Sequence, residues 1–297
     1  MTAPPLLPGD RVAVVAASSP SDPALLAAGI DRWRAHFTVH DDPRAFGRAG
    51  FLAGEDHHRA SALVEAVRDR AVRALIASRG GYGAMRVLER AGDAVLAALR
   101  EDPKPVVGFS DVTALHALWS RAGVRSVHAP MVAAAGRGAE IDATRAVLGG
   151  ALPARWEGLT PWVPATRAVT GVARGGNLAL LAAMVGTPWA LDLTDAVLFL
   201  EDIGEAPYRI DRMLTTLRAS GALRGVRGVV VGEFTGCKPN GDGVTAEDVL
   251  RDRLGDLGVP VLAGAPFGHG DVHAPWVQGA RVTLTPDGAL AHEEGIA

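Results

Sequence analysis

Short apolar runs alternate with amphipathic segments along the first half of the chain. Residues 11–17 form an uninterrupted run rich in Val and Ala, which is typical of a strand buried on both faces. Residues 24–36 instead repeat their apolar positions at a helical period. Such alternation predicts an α/β fold in which helices cover both faces of a parallel sheet. The further predicted strands here are 37–39, 74–78 and 105–109, and the further helices are 57–70, one through Met85, Leu88 and Ala91, and 111–121.

The texture of the chain changes after Leu148. Residues 149–168 are rich in Pro and Gly and indicate a linker between an N-terminal lobe, 1–148, and a C-terminal lobe, 169–297. The second lobe again alternates strands with helices and ends in a predicted hairpin around Pro286-Asp287-Gly288, so two α/β lobes are expected. Its predicted strands are 169–173, 196–200, 228–232, 259–263, 280–284 and 289–292, and its helices are 177–185, 208–220 and 246–254.

Composition excludes several classes of partner. The 297 residues carry a formal net charge of −3 and no long run of Lys or Arg, so neither nucleic acid nor an anionic membrane is expected to bind. No apolar stretch reaches the roughly 18 residues that a membrane span needs, and the first residues lack the basic region of a secretory signal. A soluble, cytoplasmic protein is therefore expected. The single cysteine, Cys237, excludes an intramolecular disulfide, and its turn-rich surroundings without a neighbouring His disfavour a catalytic thiol.

Ser110 is the first candidate for chemistry. It ends the apolar stretch Val-Val-Gly-Phe-Ser, and a helix is predicted to begin at Asp111. A sharp turn from strand to helix resembles the nucleophile elbow of hydrolases, where free N–H groups at the helix start favour a developing negative charge. Val112 stands where the second glycine of that elbow would be, and a role of Ser110 as a helix N-cap is the open alternative.

A glycine-rich turn, Gly80-Gly81-Tyr82-Gly83, follows another predicted strand. Adjacent glycines let backbone N–H groups approach a ligand closely. N–H groups of this turn could therefore form one half of an oxyanion hole, with the N–H of Asp111 as the other half. A phosphate-binding loop is disfavoured because no G-x-x-x-x-G-K-[ST] pattern occurs here, and an ordinary tight turn is the other alternative.

An acid and a histidine complete the candidate set. Glu201 directly follows an apolar strand, where a carboxylate can orient a histidine and stabilise its imidazolium form. His269 lies between two glycines soon after another predicted strand. A metal site formed by His269 with Asp271 and His273 is an alternative, which the two glycines disfavour because they are unlikely to support a helix that brings the histidines together. The chain order Ser, acid, His on loops after strands favours a serine hydrolase.

Seven stretches carry a more specific pattern and follow one another through nearly the whole chain. They are LPGDRVAVVAASSP (7–20), SRGGYG (78–83), PVVGFSDVTALH (105–116), HAPM (128–131), GGNLALLAAMVGTPW (175–189), LFLEDIGEAPYRIDRML (198–214) and PFGHG (266–270). In this order they resemble the LD-carboxypeptidase family, which also contains self-immunity peptidases that act on microcin C-type peptides.

The resemblance implies a role for each candidate residue. Ser110 would be the nucleophile, Glu201 the acid and His269 the base, with the N–H groups of Gly81 and Asp111 as oxyanion donors. It also implies a fold of two lobes, an N-terminal sheet with flanking helices and a strand-rich α/β lobe, that both contribute catalytic groups. A homodimer that needs neither metal nor cofactor is the expected form.

The substrate implied by the resemblance is a small peptide, a murein tetrapeptide whose terminal D-Ala is removed at an L,D-bond during cell-wall recycling. A hydrolase that detoxifies microcin C-type peptidyl or aminoacyl nucleotides is the close alternative. A non-catalytic protein that binds peptides is a more distant one, disfavoured because all three triad residues are present.

Three further residues are expected to contact the substrate. Arg79 is a candidate partner for the free carboxylate of the leaving D-amino acid, with a structural ion pair as the alternative. Gly80 and Trp276 are the others, one in the glycine-rich turn and one beside the loop of His269. The chain departs from the family pattern in this loop, because Trp276-Val277-Gln278-Gly279 replaces a Leu-Pro-x-Gly-like segment and His273 adds a titratable group. This departure bears on substrate choice.

Overall fold

The computed structural model describes residues 2–297, and contacts within the chain divide it into two units. The N-terminal unit contains the residues up to Leu152 together with Pro275–Val277 and Gly295–Ala297. The C-terminal unit contains Pro153–Ala274 and Gln278–Glu294.

The N-terminal unit is built on a six-stranded sheet with helices. Its strands are β1 (Arg11–Val15), β2 (Thr38–Asp41), β3 (Val72–Ala77), β4 (Val106–Gly108) and β5 (Ser126–His128), and the chain returns to this sheet with β11 (Trp276–Gln278). Its α-helices are α1 (Pro23–Arg34), α2 (Asp56–Arg68), α3 (Ala84–Glu101), α4 (Thr113–Ala122), α5 (Val132–Gly136) and α6 (Asp142–Leu148). The strand order is β11-β5-β4-β3-β1-β2, and β1 to β5 pair in parallel, as the alternation of the sequence predicts.

Local sequence explains where the first helix begins and which face it buries. The side chain of Asp22 accepts hydrogen bonds from two backbone N–H groups of the first turn of α1, and Pro23 occupies its first position. The buried residues of α1 are spaced three and four apart, so one stripe of the helix packs inward. They are Leu26, Gly29, Ile30 and Trp33.

The C-terminal unit is built on a seven-stranded mixed sheet. Its strands are β6 (Thr160–Val163), β7 (Val169–Asn177), β8 (Ala196–Ile203), β9 (Gly228–Thr235), β10 (Val261–Ala263), β12 (Arg281–Leu284) and β13 (Leu290–His292). Its helices are α7 (Leu178–Ala183), α8 (Pro207–Ala219) and α9 (Ala246–Gly255). Strands β7 to β10 run parallel, while β12, β13 and β6 join by antiparallel pairing in the order β13-β12-β7-β8-β9-β10-β6.

The structure corrects the prediction of a linker at residues 149–168. Residues from Pro153 onward belong to the C-terminal unit, and β6 pairs with β10 at the edge of its sheet. Trp156 is buried and its ring stacks on that of Phe267 at 5.8 Å between centroids. Burying an indole of this size stabilises the unit, so Trp156 and β6 attach the segment from Pro153 onward to the C-terminal unit.

The closing hairpin is confirmed by the antiparallel pairing of β12 with β13. Within residues 2–297, the helices are too short or too polar to cross a lipid bilayer.

Candidate active site

Ser110 occupies a strained turn between strand β4 and helix α4. Its φ angle is +63°, in the left-handed region that non-glycine residues rarely adopt. Ser110 begins a short 3-10 helix, Ser110–Val112, whose N-cap is Phe109 and which has no side-chain capping bond. The N-cap alternative for Ser110 is therefore not what the structure shows. A serine held in this conformation at the end of a strand has the geometry of a nucleophile elbow.

The glycine-rich turn lies directly beside Ser110. A Cβ atom added at Gly80 would stand 2.8 Å from the Ser110 Cβ and 3.0 Å from its Oγ, so only glycine allows this approach without displacement. Gly81 has a φ of +111°, which also favours glycine. Within residues 2–297, neither the N–H of Gly81 nor that of Asp111 donates a hydrogen bond to another residue. Both are therefore available to a ligand near Ser110.

The side chain of Arg79 contacts a backbone carbonyl and no acid among residues 2–297. Its Nη1 donates to the carbonyl of Pro20 at 3.1 Å, and no ion pair joins it to a carboxylate among residues 2–297. The Arg79 side chain lies near the turn, since its Nη2 is 3.7 Å from the position of a Cβ at Gly81. The structural ion pair considered for Arg79 is thus absent from the described chain, and its guanidinium can receive an anionic group.

The structure corrects the prediction that Trp276 contacts the substrate. Its side chain is fully buried, with 0% exposure, and its indole stacks on the ring of His128 with centroids 4.8 Å apart. The residue begins β11 in the core of the N-terminal unit and has no surface to offer a peptide. Its apolar bulk explains this placement, because burying an aromatic ring is worth more than exposing it.

His116 is a residue that sequence reasoning left without a role. Its Nε2 donates to the carbonyl of Gly108 at 2.9 Å, and its Nδ1 accepts from the Ser126 hydroxyl at 2.7 Å. Burial lowers the pKa of His116 to about 4, so the ring is neutral near pH 7. The ring thereby anchors the end of β4 two residues before Ser110. The available signal was its place within the stretch 105–116.

The C-terminal unit brings Glu201 and His269 together. His269 Nδ1 lies 2.6 Å from Glu201 Oε2, in a charge-assisted hydrogen bond. The Glu201 side chain is fully buried, while that of His269 is 15% exposed. Because the carboxylate is an acceptor, Nδ1 carries the hydrogen, and in the neutral ring the lone pair is then on Nε2. This is the arrangement that a general base requires.

The loop of His269 passes between two carboxylate side chains. A Cβ at Gly268, whose φ is +129°, would lie 3.2 Å from the Cβ atoms of both Glu201 and Glu233. A Cβ at Gly270 would overlap the carboxylate of Glu233. The two glycines therefore allow the close packing around His269. Glu233 was missed because the sequence offers no motif around it.

A second buried acid stabilises the start of helix α7. Asp202 accepts from Asn177 Nδ2 and from the Ala179 N–H, both at 2.9 Å. Asn177 in turn caps α7 by accepting from the Leu180 N–H at 3.2 Å. Burial raises the pKa of Asp202 to about 6. Asp202 thus joins the end of β8 to α7. Glu201, rather than Asp202, hydrogen-bonds the His269 ring.

His273 follows His269 by four residues in the chain. It hydrogen-bonds the backbone of Gly268, and burial lowers the pKa of His273 to about 3. No group of three or more His, Cys, Asp or Glu side chains in the part of the chain that the structure describes is arranged to hold a metal ion. The cluster of His269, Asp271 and His273 that was considered as a metal site is therefore not assembled as one.

Comparisons with known proteins agree on one family. The family model for the LD-carboxypeptidase N-terminal domain matches residues 12–129, and the model for the LD-carboxypeptidase C-terminal domain matches residues 170–284. A protein of Synechocystis sp., provisionally named a carboxypeptidase, is 42% identical over 295 residues, which cover 95% of this chain and 94% of the relative.

Solved structures extend the comparison. The crystal structure of muramoyltetrapeptide carboxypeptidase from Oxalobacter formigenes is 30% identical, with a TM-score of 0.81 and coverage of 94% of this chain and 97% of that one. The microcin C7 self-immunity protein MccF, in its wild-type apo state, covers 100% of both chains with a TM-score of 0.86. Its identity is only 19%, so this second likeness shows a shared fold alone.

Proposed function

Because the chain belongs to the LD-carboxypeptidase family and is a serine carboxypeptidase, we propose that it removes the terminal D-Ala of murein tetrapeptides at an L,D-peptide bond. The observation that carries the proposal is the pairing of His269 with Glu201. A fully buried carboxylate 2.6 Å from Nδ1 favours the tautomer with the hydrogen on Nδ1, in which Nε2 is the basic nitrogen of the ring. Ser110, in its strained turn, is the proposed nucleophile.

The proposed reaction is acyl transfer through Ser110. His269 Nε2 takes the proton of the Ser110 hydroxyl as Oγ attacks the carbonyl carbon of the scissile bond. Glu201 stabilises the imidazolium that results. The tetrahedral oxyanion then accepts hydrogen bonds from the N–H groups of Gly81 and Asp111. His269 gives its proton to the departing amine of D-Ala, and a water molecule, deprotonated by the same ring, releases the acyl group.

Arg79 is proposed to recognise the carboxylate of the departing residue. A carboxypeptidase acts on the last residue of a chain, which carries a free negative charge that a guanidinium binds well. Arg79 suits this task because it lies beside the glycine-rich turn and has no acidic partner among residues 2–297. Arg79→Ala should raise KM for a peptide with a free C-terminal carboxylate about 10- to 100-fold. The ratio of kcat/KM for this peptide to kcat/KM for the amidated peptide should fall.

Product analysis by mass spectrometry tests the proposed function. The purified protein is given a murein tetrapeptide ending in D-Ala, the same peptide ending in L-Ala, and an aminoacyl sulfamoyl adenylate. Loss of D-Ala from the first peptide alone is expected, with Ser110→Ala reducing kcat by roughly 10⁴-fold or more. Retained cleavage in Ser110→Ala would contradict the assignment of the nucleophile.

A hydrolase of aminoacyl nucleotides is the competing function within the same chemistry. Cleavage of the adenylate with no release of D-Ala would favour it. An aromatic side chain that could stack on the nucleobase would favour this function. The tryptophans of residues 153–168 give it little support. Trp156 is a core residue, and the ring of Trp162 is covered by the guanidinium of Arg251 at 4.5 Å.

A further inference from the structure

The carboxylate of Asp111 reaches from the turn of Ser110 to the start of another helix. Asp111 is 2% exposed, and its Oδ2 accepts a hydrogen bond from the Ala84 N–H at 2.8 Å. Ala84 is the first residue of α3 and directly follows the glycine-rich turn. The side chain therefore joins two segments that lie 27 residues apart in the sequence.

Helix α3 lacks a cap of its own. Its N-cap residue is Gly83, which has no side chain and a φ of +129°. A side chain there would meet Leu52 and Arg59, since a Cβ would lie 2.7 Å from the one and 2.9 Å from the other. The first N–H groups of a helix need acceptors, and an acid at this end also interacts favourably with the helix dipole. Asp111 supplies that acceptor from outside the helix.

The backbone N–H of Ser19 donates to the carbonyl of Gly80 at 3.4 Å, and three bonds that involve side chains also hold the glycine-rich turn. Ser19 Oγ accepts from the Tyr82 N–H at 3.1 Å, and the Arg59 guanidinium donates to the carbonyl of Gly83 at 3.0 Å. The bond from Ala84 to Asp111 is the third. Of these three anchors, Asp111 alone belongs to the turn of Ser110. Through this carboxylate, the segment that follows Gly81 is hydrogen-bonded to the turn that carries the N–H of Asp111.

We propose that the Asp111 carboxylate is a positioning residue, which fixes the glycine-rich turn to the nucleophile turn and so sets the spacing of the two oxyanion donors. The inference rests on the proposed function, because the donors matter only if an oxyanion forms. Asp111 thus has two parts: its backbone N–H stabilises the oxyanion, and its side chain holds the other donor in place. Fixed donors are effective because they need no reorganisation during the reaction.

Three variants test the inference by kinetics. Asp111→Ala is expected to lower kcat about 100-fold while KM changes less than about threefold, because oxyanion contacts strengthen only in the transition state. Asp111→Asn should recover about tenfold of that loss, since its amide oxygen can still accept from Ala84. Leu26→Ala, at a buried position of α1 that belongs to neither turn, controls for lost stability and should keep kcat within about twofold.

Hydrogen exchange measures the same tie without any turnover. In Asp111→Ala, peptides spanning residues 80–88 should exchange at least about tenfold faster than in the wild type, with Asp111→Asn between the two. Leu26→Ala should leave the exchange of these peptides unchanged. Unaltered exchange in Asp111→Ala, or an equal loss of kcat in Leu26→Ala at equal stability, would overturn the inference.

The two measurements separate this inference from the proposed function. If the wild type cleaves none of the three substrates, the proposed function fails, while faster exchange in Asp111→Ala still supports the structural tie. If the wild type releases D-Ala and Asp111→Ala matches it in both kcat and exchange, the function stands and the role of Asp111 is refuted.

Discussion

At the scale of single residues, the tightest constraint around Ser110 is the absence of a side chain at Gly80. Gly80→Ala would place a Cβ 2.8 Å from the Ser110 Cβ, so either the turn or the serine must move. We expect kcat to fall by about 10- to 100-fold, because small displacements of a nucleophile are costly. The fold should survive, and steady-state kinetics with circular dichroism would check both expectations.

Gly255→Ala is the matched control for this substitution. Gly255 is the last residue of α9, and no atom lies within 4 Å of a Cβ added there. Alanine should therefore be neutral or slightly stabilising at this position. A similar loss of kcat in both variants would mean that crowding at Ser110 is not the cause.

The partner of His269 can be tested in the same way. Glu201→Gln keeps the shape of the side chain but removes the charge that stabilises the imidazolium, so kcat should fall by roughly 10²- to 10⁴-fold. Glu205→Gln alters a nearby acid that pairs with Arg209 at 3.7 Å, and should change kcat less than about threefold. Equal activity of the Glu201→Gln variant and the wild type would remove Glu201 from the mechanism.

At the scale of elements, the junction between β8 and α7 depends on Asn177. This residue caps α7 and donates to Asp202 at 2.9 Å, so Asn177→Ala removes a cap and a buried hydrogen bond together. A loss of about 1–3 kcal/mol in the free energy of unfolding is expected in urea titrations. Asn240→Ala, at an exposed loop position, should change this free energy by less than about 0.5 kcal/mol. Comparable stabilities of the two variants would contradict the role given to Asn177.

The sequence predicts long, periodic elements better than short ones. The helix predicted at 208–220 corresponds to α8, Pro207–Ala219, because its amphipathic period extends over three turns. Strands β5 and β11 have three residues each, too few to show a period of two. Strand β6 contains Pro161, which argues against a strand in the sequence but is tolerated at the edge of a sheet.

The candidate residues on loops could be selected from the sequence because the signals for them are local. The residues that hold them in place gave no such signal. Ser110 could be selected from its place between a strand and a helix, but its φ of +63° follows from packing. The partners of Asp111 and His116 are distant in the chain or reached across a helix, and no spacing rule pairs them. Trp276 was misplaced because an aromatic residue in a loop-like stretch reads equally well as a surface contact or as core.

At the scale of the whole molecule, buried histidines make stability depend on pH. Burial lowers the pKa of both His116 and His292 to about 4 and that of His273 to about 3, against an ordinary value of 6.5. Between these values the unfolded chain binds protons that the folded chain does not. The stability that these neutral histidines contribute is therefore fully present above about pH 6.5, and it is lost as the pH falls toward 4. Asp202 acts in the opposite direction, because its pKa is raised from 3.8 to about 6 and protonation favours the folded state over that interval.

His292 offers the sharpest test of this balance. It is 7% exposed, neither ring nitrogen has a hydrogen-bond partner within residues 2–297, and its ring packs edge-on to Trp156 at 5.3 Å. His292→Phe keeps a ring and removes the proton. The free energy of unfolding should then depend less steeply on pH by about 1.4 kcal/mol per pH unit between pH 6 and 4.5, as one bound proton requires.

Asp202→Asn is the informative counterpart, since it removes the one contribution of opposite sign among these four groups. The loss of stability toward acid should become steeper in that variant, by up to the same 1.4 kcal/mol per pH unit between about pH 4 and 6. Chemical denaturation at half-unit pH steps would follow both variants beside the wild type. Changes of the same sign in the two variants would mean that global charge, rather than these buried groups, governs acid stability, because a buried neutral imidazole and a buried protonated carboxyl must act in opposite directions.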